Sequence, residues 1–159
     1  MNDTLKEKVL ILIPVINNYK IFKDPFYFKE NINNRKSETI SLIQALNVNI
    51  LDNIIIKINN FSSANLFNDE ICKNLLQLVN QLKVNLLIVD FQLSPIQQRN
   101  LEVFLKIKVI DRTKVILEIF SSRAKSREGK IQVELASLSF QKTRLVRSWT
   151  HLERQRGGG

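Results

Sequence analysis

The chain has 159 residues, 44% of them apolar and 25% charged, with one Cys, one His and four Gly (Gly129, Gly157, Gly158 and Gly159). That inventory excludes an internal disulfide, a Cys/His metal cluster and a Gly-x-x-x-x-Gly-Lys-Ser/Thr phosphate loop. The net charge of +9 is uneven: residues 1–111 carry 13 Lys/Arg against 11 Asp/Glu, and residues 112–159 carry 11 against 4. A field concentrated in this way favours a polyanionic partner such as nucleic acid or an acidic membrane surface.

No segment reaches the ~18 uninterrupted apolar residues of a membrane span. The short run Val9–Ile16 follows Asp3 and Glu7 and lacks a small-residue cleavage site. It reads as a buried strand rather than a signal core, and the location as cytoplasmic. All 17 Asn lie in residues 1–100, and 17 of the 20 Ile precede residue 112. The last third has escaped this compositional drift, which suggests a more tightly specified chemistry there.

Val9–Ile13 is a continuous β-branched run, the mark of a strand covered on both faces. Pro14, without an amide hydrogen, belongs at that strand's end. Residues 17–36, with Tyr19, Phe22, Phe26, Tyr27 and Phe28 and interrupted by Pro25, read as a long loop. Packing of those rings on the core is favoured over base stacking. Ser37 caps a helix to about Leu46, with Ile40, Ile43 and Leu46 on one face. Ile50–Ile58 is the second strand. A helix follows over Asp69–Leu82, with Ile71, Leu75, Leu78, Val79 and Leu82 at three- and four-residue steps. Cys72 falls inside that pattern as a buried, inert thiol.

Leu86–Asp90 is the third strand. Ser94-Pro95-Ile96-Gln97 is a helix start with Ser as N-cap, Pro at the first position and Gln three residues after the cap. That helix reaches Leu105, and Lys108–Ile110 forms a fourth strand. This order implies right-handed crossovers and a small, mainly parallel four-stranded α/β sheet with flanking helices. Asp90 and Asp111 end neighbouring strands at the face where α/β ligands bind. Structural hydrogen bonding to nearby loops and helix starts is the favoured reading for both, and an enzyme comes last among the functions considered.

Thr113 caps the next helix, with Val115, Ile116, Ile119 and Phe120 inward. A long helix begins after Gly129. Its apolar positions Ile131, Leu135, Leu138, Leu145, Trp149 and Leu152, with Lys142 included, advance by alternating steps of four and three. That is a heptad seam, the pattern of a helix lying against a partner helix. Its six apolar side chains, at roughly 1.5–3 kcal/mol each, put about 10 kcal/mol at stake in whether a partner is found. His151 reads as a helix-surface contact.

One run carries a family resemblance. It comprises Asp111-Arg112-Thr113, Ile116–Phe120, Arg123-Ala124, Arg127–Ala136, Arg144-Leu145-Val146, Trp149 and His151–Gln155 with the glycines after it. Upstream, Ile88-Val89-Asp90, Leu93-Ser94-Pro95 and Arg99–Glu102 match as well. Dense from about residue 86 to 158 and thin before, this pattern resembles the N-terminal part of HflX-type GTPases. The resemblance implies an α/β domain over 1–112 and a helical region over 113–155. Its long helix, about Lys130–Gln155, would be the first half of an antiparallel hairpin, with residues 156–159 opening the tip loop. It further implies a following GTP-binding domain that uses GTP and Mg, no such cofactor in this chain, and ribosome splitting through the large ribosomal subunit. The chain departs from the family pattern in two respects. Asn68-Asp69-Glu70-Ile71 stands where the family has Gly-x-Gly-Lys, so acidic groups would repel a phosphate there. Lys142 and Arg147 stand where the family has apolar and small residues.

Three functional readings follow. The first is ribosome binding, with Arg123, Arg127, Lys130, Arg144, Arg147, Arg154 and Arg156, and the tip glycines Gly157 and Gly158, against ribosomal RNA. The second is an inactive remnant whose return helix is missing. The third is a homo-oligomeric module that pairs its 131–152 helix with that of a second copy.

Overall fold

The computed structural model describes residues 6–16, 25–58 and 66–157, with side chains over 6–15, 32–58 and 66–142. Among the described residues four strands alternate with helices and a fifth helix follows: β1 (Lys8–Ile16), α1 (Pro25–Gln44), β2 (Asn49–Ile58), α2 (Asp69–Leu82), β3 (Leu86–Val89), α3 (Pro95–Leu105), β4 (Lys108–Asp111), α4 (Arg112–Arg123) and α5 (Arg127–Gly157). The sheet order is β2-β1-β3-β4, and all three pairings are parallel. The expected α/β class is borne out, with the long C-terminal helix after it. The chain divides into two compact units, residues 1–115 and 116–159, and the division falls within α4.

In the first unit, alternation along the strands sends two sets of apolar side chains to opposite faces of the sheet. Leu10 and Leu12 of β1, Leu87 and Val89 of β3 and Val109 of β4 join Leu75 and Val79 of α2 and Leu101 and Leu105 of α3 in one core. Val9, Ile11 and Ile13 are equally buried and face the other way. The chain leaves β1 in one direction and β2 in the other, so right-handed crossovers place α1 on the face opposite α2 and α3. β2 lies at a sheet edge, where pairing passes from Val9 with Ile50 to Leu10 with Asp52 and leaves Leu51 as an extra residue. The Asp52 carboxylate takes the Asn53 amide hydrogen at 2.8 Å. Such a bulge and a charged side chain blunt an edge that would otherwise template further strands.

Pro14 lies within β1, not at its end, and the ladder explains why it is tolerated. The Leu12 carbonyl accepts from the Asp90 amide on the β3 side, and two residues on the chain points the same way. Pairing with β3 stops at Leu12, so no ladder bond is lost at Pro14. Its carbonyl instead accepts from Arg35 Nη1 at 3.1 Å.

Three helix starts differ from expectation. The segment read as a loop over 17–36 is helical from Pro25 onward, while residues 17–24 lie outside the described residues. Pro25 opens α1 at the position where its missing N–H costs nothing, and Ser37 is an exposed mid-helix residue rather than a cap. At α4 the cap is Asp111 and not Thr113. Asp111 Oδ1 accepts from the Lys114 amide at 3.0 Å while Oδ2 accepts from the Leu93 amide at 3.2 Å. α5 starts at Arg127, ahead of Gly129. The Ser126 hydroxyl takes the Gly129 amide hydrogen at 2.9 Å, and a Cβ at Gly129 would sit 2.9 Å from that oxygen. Glycine there leaves room for the cap.

α3 begins as the sequence implies. Ser94 Oγ accepts from the Gln97 amide and Gln97 Oε1 from the Ser94 amide, with Pro95 at the first position. Ser94→Ala is expected to cost about 1 kcal/mol, read as a lower urea midpoint at unchanged m-value. Ser37→Ala, in mid-helix, should shift stability by no more than about 0.5 kcal/mol.

Candidate functional site

The strand order reverses between β1 and β3, which makes their C-terminal ends the crevice where doubly wound folds bind ligands. Here that crevice is occupied by the protein's own side chains. Asp90, the first residue past β3, is buried. Its Oδ2 accepts from Arg35 Nε at 2.9 Å and from the Thr39 hydroxyl at 2.9 Å. Arg35 also donates to the Asp90 carbonyl, and Arg112 Nε lies 3.8 Å from Asp90 Oδ1. Arg35 and Thr39 are four residues apart and share one face of α1. The chemistry of this cluster is cross-bracing: α1 is fixed to the ends of β1 and β3. Both carboxylates at the ligand face, Asp90 and Asp111, are thus engaged in structural hydrogen bonds. The sequence points to Asp90 but not to Arg35, because the four-residue Arg35/Thr39 spacing becomes a signal only when the segment is helical, as it is in α1.

Asn68 caps α2, its side chain accepting from the Ile71 amide at 2.9 Å, with Asp69 and Glu70 in the first turn. The acidic residues at this departure from the family pattern therefore complement the helix dipole. Cys72 is half-buried, with Sγ 3.8 Å from the Phe67 carbonyl. Burial, and secondarily the Asp69 charge, push its thiol up from the usual range, in keeping with a thiol that is not activated as a nucleophile. Burial likewise raises the Glu102 carboxyl, against hydrogen bonds from Val109 and Gln98 and the Lys108 charge that act to lower it.

In the second unit, α5 has two faces of different character. Gly129, Val133, Ser137 and Phe140 are half-buried, and Val133 and Ser137 line a hollow of about 440 Å³ with Ser121 and Ala124. At about 100° per residue the seam positions Ile131, Leu135 and Leu138 project from the opposite side. All three are exposed, Leu135 at 59%. Arg123, Arg127, Lys130 and Lys142 are exposed too. Arg144, Leu145, Arg147, Trp149, His151, Leu152, Arg154 and Arg156 continue on the α5 backbone and Gly157 ends it. The side chains of these residues, and Gly158, lie outside the described residues. Among the described residues no cluster of three His, Cys, Asp or Glu could hold a metal ion, and no helix is long and apolar enough to cross a membrane.

Comparison with known proteins accounts for both units. A family described as GTP-binding GTPase N-terminal matches residues 33–121, and one described as GTP-binding GTPase Middle Region matches residues 123–159. The first match reaches well before residue 86, into the stretch where the motif pattern is thin. GTPase HflX of Magnetococcus marinus is 64% identical over 76 residues, 48% of this chain and 18% of that protein. GTPase HflX of Treponema denticola is 36% identical over 123 residues, 77% of this chain and 32% of that protein. The chain thus spans less than a third of the length of these relatives. In fold it is similar to a GTP-binding protein from the hyperthermophilic archaeon Sulfolobus solfataricus in complex with GDP, with a TM-score of 0.61 and 22% identity over 94% of this chain and 42% of that one. A β2-β1-β3-β4 sheet, a helical unit after it and matches over residues 33–159 have one common source: the chain belongs to the HflX-type GTP-binding family and carries its N-terminal and middle regions.

Proposed function

We propose that residues 1–159 are the ribosome-contacting part of an HflX-type GTPase, acting in the cytoplasm, with the helical unit against RNA of the large subunit. In that reading residues 1–112 form the α/β domain, 113–155 the helical region and 156–159 the start of a hairpin tip. The α5 seam is the face a returning antiparallel helix would cover. GTP hydrolysis belongs to a GTP-binding domain, since the residues present offer no phosphate loop.

The observation that carries the reading is the placement of exposed cations in the second unit. Arg127 and Lys130 stand in the first turn or so of α5, where a positive charge opposes the helix dipole by a few tenths of a kcal/mol. They do not serve the helix, so a polyanion outside it is the natural recipient. Arginine adds bidentate contact with phosphate.

The test is co-sedimentation of residues 1–159 with purified large ribosomal subunits at low and moderate salt, with a ribosome-free control. Binding should fall steeply as salt rises, and an Arg123/Arg127/Lys130→Ala variant should bind more weakly with a shallower salt slope. The same protein should turn over no GTP. Salt-insensitive binding, or a variant that binds as well as the parent, would remove the RNA-contact reading. A second reading, pairing of two copies through Ile131, Leu135 and Leu138, draws on their exposure. It requires a sedimentation coefficient that rises with concentration.

A further inference from the structure

We propose that the lysine-rimmed apolar trough between α2 and α3 docks an acidic amphipathic helix of a partner protein. This surface belongs to the first unit and is independent of the basic helical segment. Leu66, Phe67 and Cys72 on one side and Leu101, Val103 and Phe104 on the other line a cavity of about 600 Å³. A second hollow of about 460 Å³ shares Phe104 and Lys106 and continues past Val79 to Lys83. Phe104 is therefore a ridge between two adjoining hollows, with Val103 beside it, and both are exposed large apolar side chains. Two apolar hollows in sequence suit anchors spaced by about one helical turn on a docked helix.

Charge selects the partner. Lys73, Lys83 and Lys106 rim the hollows, and among the described residues none of the three ammonium groups lies within 4.0 Å of a carboxylate. Asp69 stands at the α2 N-terminal end of the trough. A helix with its positive N-terminal end towards Asp69 and its carboxylates towards the lysines complements this distribution.

The backbone supplies an independent sign. Lys83 and Lys106 follow α2 and α3 in left-handed conformation, with φ of 56° and 57°, and they are the only positive-φ residues other than Gly among those described. A side chain with a Cβ is strained there, and Gly or Asn is the usual occupant. The chain uses 17 Asn elsewhere, yet sets lysine at both positions. The helix dipole favours a cation at a C-terminus, but any position in the last turn would satisfy it without strain. Strain retained at two neighbouring rim positions points to a surface function for these lysines.

Cys72 is the chain's only thiol and lines the trough, so it reports occupancy directly. The probe is a fluorescein-labelled helical peptide of about 14 residues with leucines at i, i+4 and i+7 and glutamates on the flanks. It should bind residues 1–159 saturably by anisotropy and slow iodoacetamide alkylation of Cys72. Phe104→Ser and, separately, Lys73→Glu/Lys106→Glu should each weaken binding by about tenfold or more, while Phe120→Ser leaves it unchanged. A peptide with lysine in place of glutamate should not bind. Unaltered binding in both trough variants would overturn the proposal. So would binding that leaves Cys72 unprotected, which would place the peptide on the basic α5 segment. Protection of Cys72 by single-stranded RNA but not by the peptide would make the trough an RNA surface and overturn it as well.

Discussion

Asp90→Ala is expected to lower the unfolding free energy by about 3 kcal/mol, the low end of the range for removing one partner of a buried ion pair. The low end applies because Arg35 keeps 35% of its side chain in water while Asp90 keeps 5%. The loss has three parts. Among the described residues Arg35 is then left with carbonyl acceptors alone, at Pro14 and at Asp90 itself. The Thr39 hydroxyl, buried on α1, loses its acceptor. Arg112 loses a nearby counter-charge. Asp90→Asn should fall between parent and Asp90→Ala, since an amide oxygen can still accept from Thr39. The cost is also coupled: Arg35→Met combined with Asp90→Leu should be closer to neutral than the sum of the single changes, because replacing both partners strands no charge. Urea unfolding of the parent, Arg35→Met, Asp90→Leu and the double variant measures the cycle. An Asp90→Ala loss below about 1 kcal/mol would show that Arg35 is solvated rather than bound in the crevice.

What the sequence made legible was what depends on neighbours a few residues apart. α3 was readable from Ser94, Pro95 and Gln97 because a capping box is a local hydrogen-bond pattern. α2 was readable from the spacing of Ile71, Leu75, Leu78, Val79 and Leu82. α1 was not, because Asn31, Asn33 and Asn34 have poor helix propensity and Pro25 serves equally as a breaker or a first helical residue. Its formation rests on tertiary anchors such as Ile43, buried at 1%, and on Arg35 and Thr39 reaching across more than 50 residues to Asp90. The α4 cap shows the same limit at short range. Asp and Thr are both residue types that cap helices, and only the fold, which brings the Leu93 amide to the second oxygen of Asp111, selects Asp111 over Thr113. The heptad seam was visible as periodicity. Its position opposite the half-buried stripe Gly129, Val133, Ser137 and Phe140 was not, because those small and mixed residues form no pattern until the helix is phased.

That distinction between seam and core sets the second large expected effect. Leu87→Ala should cost about 2–5 kcal/mol, a large part of the 5–15 kcal/mol typical of a domain. Leu87 is wholly buried in β3, an interior strand, and belongs to the core beneath α2 and α3. Truncation there removes transfer free energy and leaves a cavity that strands paired on both sides cannot close. Leu135→Ala removes the same atoms from a side chain 59% exposed. It should change the stability of the dilute chain by no more than about 0.5 kcal/mol, since alanine is also the better helix former. Equal chemistry and unequal cost would establish that the heptad leucines are held for a partner rather than for the fold of this chain. A loss above about 1.5 kcal/mol at Leu135 would instead mean that the seam is already covered. Repeating the Leu135→Ala measurement at rising protein concentration then separates the ways of covering it. A cost that grows with concentration assigns the cover to a second copy, and a constant cost assigns it to the chain's own residues.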